Sequence, residues 1–331
     1  MPEIRQSMAT KEWVIIATER AKRPKDFISK KNSEASIPES DAKCPFCPGN
    51  EKLAPPATFE IMDGENWITR VVPNKFPALS PEGERKRKYD GIHRYMTGVG
   101  NHEVIIESRL HNRFISVMKK DEVLNIVKAY KNRYTELAKD ERIEHIIIFK
   151  NHGAAAGTSL IHPHSQVVAL PLVPQAIRSR LNTAMRYLDD NGTCVFCDMS
   201  VMEQKEKERI VYENDDFIAF CPYASLGPFH IWILPKRHMA QFSEINEPEM
   251  TSLADSLKIV LTKLSIGLNN PDYNLVVKCN PTDYIKSDFF HWYIAIVPRL
   301  TKTAGFELGT GMFINVSLPE ENAEFLRSIN I

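Results

Sequence analysis

The sequence has no surplus of charge: 42 Lys and Arg face 42 Asp and Glu over 331 residues. Proteins that hold a nucleic-acid backbone do so with an excess of Lys and Arg, so this balance argues against a general affinity for nucleic acid. A small phosphorylated ligand stays open, because it needs only a few placed donors. Long hydrophobic runs are also missing. No apolar stretch approaches the roughly 20 residues needed to cross a bilayer, so no membrane insertion is expected. Met1-Pro2-Glu3-Ile4-Arg5 opens the chain without the apolar core of an export signal, and the expected location is cytoplasmic. Cysteine is scarce, at 6 residues, and its arrangement does not read as a disulfide framework.

Apolar residues make up 43% of the chain and charged ones 25%, the balance of a soluble protein able to bury a core. Four cysteines form two pairs, Cys44-Pro45-Phe46-Cys47 and Cys194-Val195-Phe196-Cys197. The elements after each pair follow a similar order. After Cys47 comes a strand-like run, Glu103 to Glu107. A helical pattern follows, with Asp121 as its cap and Val123, Leu124, Val127, Tyr130, Tyr134 and Leu137 at helical spacing. Two strand-like runs, His145 to Phe149 and Gln166 to Leu170, close the half. After Cys197 come Phe217 to Phe220, Ile231 to Leu234, a helix with Leu253, Leu257, Val260, Leu261 and Leu264 on one face, and two closing runs, Asn274 to Cys279 and Trp292 to Val297.

The predicted fold is therefore α+β: two related halves, residues 1–176 and 177–331, each an antiparallel sheet with a long helix packed on it. Arg178 to Asn191 is the connection, read as helical. Ser29 to Asp41 reads as a mobile loop, and residues 303–315 as a turn-rich loop near a ligand.

Two thiolates from one tight turn suit a tetrahedral metal when two imidazoles join them. In the first half His111 follows one strand and His162 precedes another. His238 and His291 stand at matching places in the second. The expected ligand sets are Cys44, Cys47, His111 and His162, and Cys194, Cys197, His238 and His291, each for one structural Zn2+. Cys221 and Cys279 stand alone in apolar runs and read as buried inert thiols.

The chemistry centres on His162-Pro163-His164-Ser165-Gln166. Along an extended segment alternate residues share a face, so His162, His164 and Gln166 line one side. With His162 held by metal and Pro163 stiffening the link, His164 is a positioned imidazole, suited to act as base or nucleophile. Attack on an α-phosphorus would give a phosphoramidate. Gln166 can donate to a phosphoryl oxygen. The run Gly153-Ala154-Ala155-Ala156-Gly157-Thr158-Ser159 can bring backbone N–H groups to phosphate, with the Ser159 hydroxyl beside them. Arg20 and Arg23 can clamp outer phosphates. The second half has His291-Trp292-Tyr293 instead, so only the first half should be competent.

The segment Asn151 to Gln166, with its His-Pro-His-x-Gln ending, resembles the active site of the galactose-1-phosphate uridylyltransferase family, a branch of the histidine triad superfamily. The likeness takes in Arg20 to Pro24, Cys44 and Cys47, Asn74, His111 and Gly305-Phe306-Glu307. It implies a ping-pong reaction. UDP-glucose leaves UMP on His164, and galactose 1-phosphate then takes it up. Arg20, Arg23, Asn74, Asn151, Gly157, Ser159 and Gln166 would hold the nucleotide and its phosphates. Glu307 would face the sugar, and the family's usual state is a homodimer whose sites can borrow residues from the partner subunit. Lys75 and His152 depart from the pattern. The second Cys pair also resembles ADP-glucose phosphorylase, which transfers AMP to phosphate by the same chemistry. A nucleotide-hydrolysing histidine triad enzyme and a non-catalytic zinc-stabilised nucleotide-binding protein are the other readings.

Overall fold

The computed structural model describes residues 1–17, 23–28, 37–284 and 287–331. Fifteen strands and six helices are described. The strands are β1 (Glu3–Gln6), β2 (Trp13–Ile16), β3 (Phe59–Asp63), β4 (Asn66–Pro73), β5 (Arg87–Asp90), β6 (His93–Met96), β7 (Asn101–Ile106), β8 (His145–His152), β9 (His164–Leu170), β10 (Ile210–Glu213), β11 (Phe217–Phe220), β12 (Ile231–Pro235), β13 (Tyr273–Lys278), β14 (Tyr293–Pro298) and β15 (Phe313–Asn315). The helices are α1 (Lys120–Leu137), α2 (Gln175–Asn191), α3 (Val195–Glu206), α4 (Glu247–Leu268), α5 (Gly305–Thr310) and α6 (Pro319–Arg327).

Ten strands form one antiparallel sheet in the order β10-β11-β12-β14-β13-β8-β9-β7-β4-β3. Read outward from the centre, the first half runs β8-β9-β7-β4-β3 and the second β13-β14-β12-β11-β10, the same order twice. The halves meet where β13 pairs with β8, Tyr273 opposite His152 and Val277 opposite Ile148. The sequence pattern shows two sheets. That their edges fuse is visible only in the structure, since either edge strand reads alike whether paired or not.

Alternation of burial along the central strands fixes the two faces. Ile146 and Ile148 of β8, Val167 and Ala169 of β9, and Leu275 and Val277 of β13 point to the face where α1 and α4 lie side by side. The apolar stripe of α4, Leu253, Leu257, Val260, Leu261 and Leu264, is fully buried there. Each such Leu contributes about 1.5–3 kcal/mol of transfer free energy. The opposite face is covered in two patches. Cys44, Phe46 and Cys47 pack on Val72, Val104 and Ile106 over the first half, while α2 and α3 cover Trp232, Tyr293 and Ala295 over the second.

Two expectations change, and a third holds with an earlier start. Asp121 is not the cap of α1. Lys119 is, and the Glu122 carboxylate reaches back to its N–H at 2.7 Å, so the acid one residue later does the capping. Residues 303–315 are not a loop, because Glu307 caps α5 by accepting the Ala304 N–H at 2.9 Å and β15 then pairs in parallel with β2. The connection is helical from Gln175, ending on Gly192 at φ 73°. Of the stretch expected to be mobile, residues 29–36 lie outside those described.

Candidate active site

His162 and His164 are presented where the chain enters β9. The fully buried His162 ring donates from Nε2 to the carbonyl of Ser108 at 2.8 Å, which leaves the Nδ1 lone pair turned toward the cysteines. Cys47 Sγ lies 3.5 Å from Nδ1 of His111 and 3.6 Å from Nδ1 of His162. A tetrahedron with metal–sulfur near 2.3 Å and metal–nitrogen near 2.1 Å has edges of about 3.6 Å. All four ligand atoms of Cys44, Cys47, His111 and His162 lie within 4.8 Å of one another, and all four residues are buried. Burial holds His162 down at about 4, a neutral imidazole ready to bind a cation, and pushes the Cys44 thiol up to about 11. The donor set and its spacing fit a metal.

The second half repeats the arrangement with one difference. Cys194 Sγ, Cys197 Sγ and His238 lie within the same limits, and His238 donates from Nε2 to the carbonyl of Ser287 at 2.9 Å. His291 faces His238 edge-on with ring centroids 5.2 Å apart, much as His111 faces His162 at 5.3 Å. It falls outside the ligand cluster, however. Its Nδ1 is engaged by the carbonyl of Trp292 at 2.9 Å, and its Nε2 is buried without a partner. An orphaned buried nitrogen beside three ligand atoms is a group that a metal would satisfy.

His164 is buried, with Nδ1 donating to the carbonyl of His162 at 2.8 Å. That hydrogen bond assigns the proton to Nδ1 and leaves the lone pair on Nε2, which has no hydrogen-bond partner among the described residues. Burial lowers the imidazole's proton affinity more than the hydrogen bond to the His162 carbonyl raises it, and nearby Lys150 lowers it further, so the ring is held neutral. Phe46, between the two cysteines, packs on the ring at 5.5 Å. The metal module thus also forms one wall for His164.

The cavity in front of His164 has a volume of about 450 Å³, within the range of small-molecule sites. Asn151, Ser159, His162 and His164 line it, as do Asn269 and Asn270 from the end of α4. Gln166 shares a face of β9 with His164 but does not itself line the cavity. Its Oε1 lies 2.8 Å from Nε2 of His102, whose Nδ1 accepts the N–H of Ala78 at 3.2 Å. This tautomer makes His102 the donor and leaves the Gln166 amide hydrogens available. Asn74 lies 3.0 Å from the same His102 nitrogen.

The glycine-rich run behaves differently from expectation. The N–H groups of Ala156, Gly157 and Thr158 bond within the turn, to Gly153, Ala154 and Gly153. That of Ala155 donates to Asp272 Oδ2 at 2.7 Å. Four amides of the run are thus engaged within the turn or by Asp272, while Gly153, Ala154, Thr158 and Ser159 line the cavity. Gly157 closes the turn at φ 90° and does not line the cavity. Arg23 caps a short turn, its N–H on Asp26, with its side chain exposed away from the lining. Arg20 lies outside the described residues. Glu307 sits on α5, beside β15, and does not line the cavity either.

Sequence reasoning missed what lies behind β9. Glu107 and Lys150 form a buried ion pair there, Ser165 donates to Glu107, and Tyr130 contacts the Ser165 hydroxyl. Their only signal was a Lys and a Glu at inward positions of otherwise apolar strands.

The model of the galactose-1-phosphate uridyl transferase N-terminal domain matches residues 1–174, and that of the C-terminal domain residues 180–302. The chain belongs to the galactose-1-phosphate uridylyltransferase family. It is 37% identical over 335 residues to ADP-glucose phosphorylase of Arabidopsis thaliana, covering 100% of this chain and 93% of that protein. It is 28% identical to galactose-1-phosphate uridylyltransferase of Thermotoga maritima, covering 100% and 99%. A crystal structure of the Arabidopsis ADP-glucose phosphorylase with bound ADP-glucose superposes with a TM-score of 0.85 at 34% identity, covering 100% and 99% of the two chains. A uridylyltransferase structure does so at 0.76 and 26%, covering 99% and 98%. The chain is therefore a nucleotidyltransferase-family enzyme, and no helix among its described residues is long and apolar enough to cross a membrane.

Proposed function

We propose that the chain moves UMP between UDP-glucose and galactose 1-phosphate through a covalent intermediate on His164, in galactose metabolism. The observation that carries this reading is the His164 ring itself. It is neutral, its Nδ1–H is tied to the His162 carbonyl, and its Nε2 lone pair is unengaged at the edge of a cavity of nucleotide size. In the first step Nε2 attacks the α-phosphorus of UDP-glucose. A P–N bond forms, the α–β P–O bond breaks, and glucose 1-phosphate leaves with the electron pair. In the second step a phosphate oxygen of galactose 1-phosphate attacks, and the P–N pair returns to Nε2. Charge builds on the non-bridging oxygens in both steps, where Gln166 and Ser159 supply donors. The carbonyl of His162 holds the ring while the imidazole gains positive character.

Two Zn2+ ions per chain fit the two thiolate–imidazole clusters. At the first site four protein ligands leave no open position, so that metal's work is to fix His162, and with it His164, not to bind substrate; at the second, three ligand atoms are gathered and the unpartnered Nε2 of His291 would supply the fourth. Asn151 on the cavity wall, and Asn74 beside His102, are assigned to nucleotide and phosphate binding, with Arg20 on outer phosphates by resemblance, whereas Gly157 and Arg23, which do not line this cavity, are given no such role. The position of Glu307 away from the cavity of its own chain supports a homodimer in which the partner subunit supplies the sugar contact.

A second reading has its own support. Identity to the plant ADP-glucose phosphorylase, 37%, exceeds the 28% to the Thermotoga uridylyltransferase, and the second Cys pair points the same way. AMP would then pass from ADP-glucose to His164 with release of glucose 1-phosphate, and on to inorganic phosphate, giving ADP and freeing Nε2. A substrate panel separates the two. The uridylyl reading expects UDP-galactose from UDP-glucose plus galactose 1-phosphate. Turnover of ADP-glucose plus phosphate alone would replace it with the second.

A further inference from the structure

The internal repeat places a counterpart of the catalytic site in the second half. Phe149 of β8 pairs with Gln166 of β9, and continuing that register sets Asn151 opposite His164. In the second half Lys278 of β13 pairs with Tyr293 of β14, so Lys278 and Tyr293 stand where Asn151 and His164 stand in the first. A cavity of about 110 Å³ opens in front of them. The turn between β1 and β2, with Ser7, Thr10 and Glu12, lies over it, and Arg180 reaches in from α2.

The charges in this cavity do not balance. Lys278 and Arg180 bring two cations, and Glu12 is the one carboxylate on the lining. Neither cation makes a hydrogen bond or ion pair with a described residue. Burial, and after it the neighbouring Arg180, hold the Lys278 ammonium down at about 8, while Glu12 pulls it up. A half-buried cation without a full partner is costly, and an anion would relieve that cost. Donors for the anion are in place. The Ser7 hydroxyl oxygen accepts the N–H of Thr10 at 3.3 Å and that of Thr10 accepts the N–H of Glu12 at 3.3 Å, so both O–H hydrogens remain to donate. The Tyr293 ring is clamped against Trp232 at 4.3 Å, and its hydroxyl has no described partner.

We propose that this cavity binds a phosphate-sized dianion, either inorganic phosphate or the phosphoryl end of a phosphomonoester, as a second anion site apart from the His164 cavity. The size sets the class. Pockets for larger ligands run to roughly 300–1,000 Å³, so a nucleoside does not fit here and a single phosphoryl group does. Lys278 and Asn274 lie on the same face of β13, about 13 Å apart along the strand. Asn274 donates to Asn151 of the catalytic cavity at 2.7 Å, so the two sites share one strand.

Calorimetric titration of the full chain in a His164→Gly background tests this, with inorganic phosphate and glucose 1-phosphate as ligands at fixed ionic strength. A saturable binding class is expected whose Kd rises at least tenfold in Arg180→Gln and in Lys278→Met, and which Ser159→Ala in the catalytic cavity leaves unchanged. Binding of phosphate alone assigns the site to the free ion. Binding of both assigns it to phosphomonoesters as well. Arg180 lies at the half-exposed rim, so Arg180→Gln stands by itself if Lys278→Met melts early. The proposal is overturned if no saturable class exists beyond the one that Ser159→Ala removes, or if Arg180→Gln binds phosphate as the parent does.

Discussion

Lys150 and Glu107 lie 2.7 Å apart with side chains 1% and 0% exposed, and the same ammonium donates to the backbone carbonyl of His164 at 3.2 Å. The pair therefore does more than neutralise itself. It anchors, from behind the sheet, the backbone that carries His164. Glu107→Gln leaves the shape and strips the ammonium of its counter-charge. Removing one partner of such a buried pair costs about 3–5 kcal/mol. Urea unfolding of Glu107→Gln should show a loss of that size together with slower loading of His164. A loss under about 1 kcal/mol would mean that the pair carries little.

Gly153 has a reason to be glycine that its neighbours lack. Its φ is +82°, and a Cβ there would lie 1.8 Å from Oδ1 of Asp272, the residue that also accepts the Ala155 N–H. Gly157, at φ +90°, has open space around its missing Cβ. Backbone strain costs about 1–3 kcal/mol at either position. Gly153→Ala should lose more stability than Gly157→Ala and raise KM for nucleotide sugar as the loop shifts, whereas Gly157→Ala should show strain alone. Equal melting points for the two variants would contradict the steric argument.

Much of this was legible in the chain because the signals were periodic or paired. The helical stripe from Val123 to Leu137 and the strand runs of both halves were readable, since burial of one face imposes its own spacing. Cys44, Cys47, His111 and His162 could be grouped because metal ligands of these types recur in matching order. The ion pair of Lys150 with Glu107 left almost no trace, because its partners are far apart in sequence and each sits alone in an apolar strand. Glu307 shows a different limit. A shared motif assigns it to sugar binding, yet the fold of one chain holds it away from the cavity.

Metal should matter unequally at the two sites. Cys44→Ser breaks the cluster that holds His162 and, through Phe46, packs on His164, so it should lower zinc content, melting temperature and nucleotidyl transfer together. Cys194→Ser lies over the half with Tyr293 at the equivalent strand position. It should lower zinc content and melting temperature while transfer per folded molecule persists. Metal analysis with thermal melts and initial rates on each variant checks this, and equal loss of transfer in both would remove the distinction.

His145 is buried with Nδ1 unpartnered, and burial, aided by Lys278, holds it at about 4 from its ordinary 6.5. Between those values the unfolded chain binds a proton that the folded chain refuses. This contribution to stability is therefore complete above pH 6.5 and is lost as pH falls toward 4. The full effect is about 3 kcal/mol. In His145→Gln the plot of unfolding free energy against pH should be flatter across that window by about 1.4 kcal/mol per pH unit. An unchanged slope would show that His145 is not the group that titrates.

The most direct measurement is mass spectrometry of the protein after brief incubation with UDP-glucose and no acceptor. The account predicts a mass gain of one UMP per chain, mapped to His164, absent from His164→Gly and discharged on adding galactose 1-phosphate. If neither UDP-glucose nor ADP-glucose leaves an adduct, or if the adduct forms on another residue, His164 is not the nucleophile.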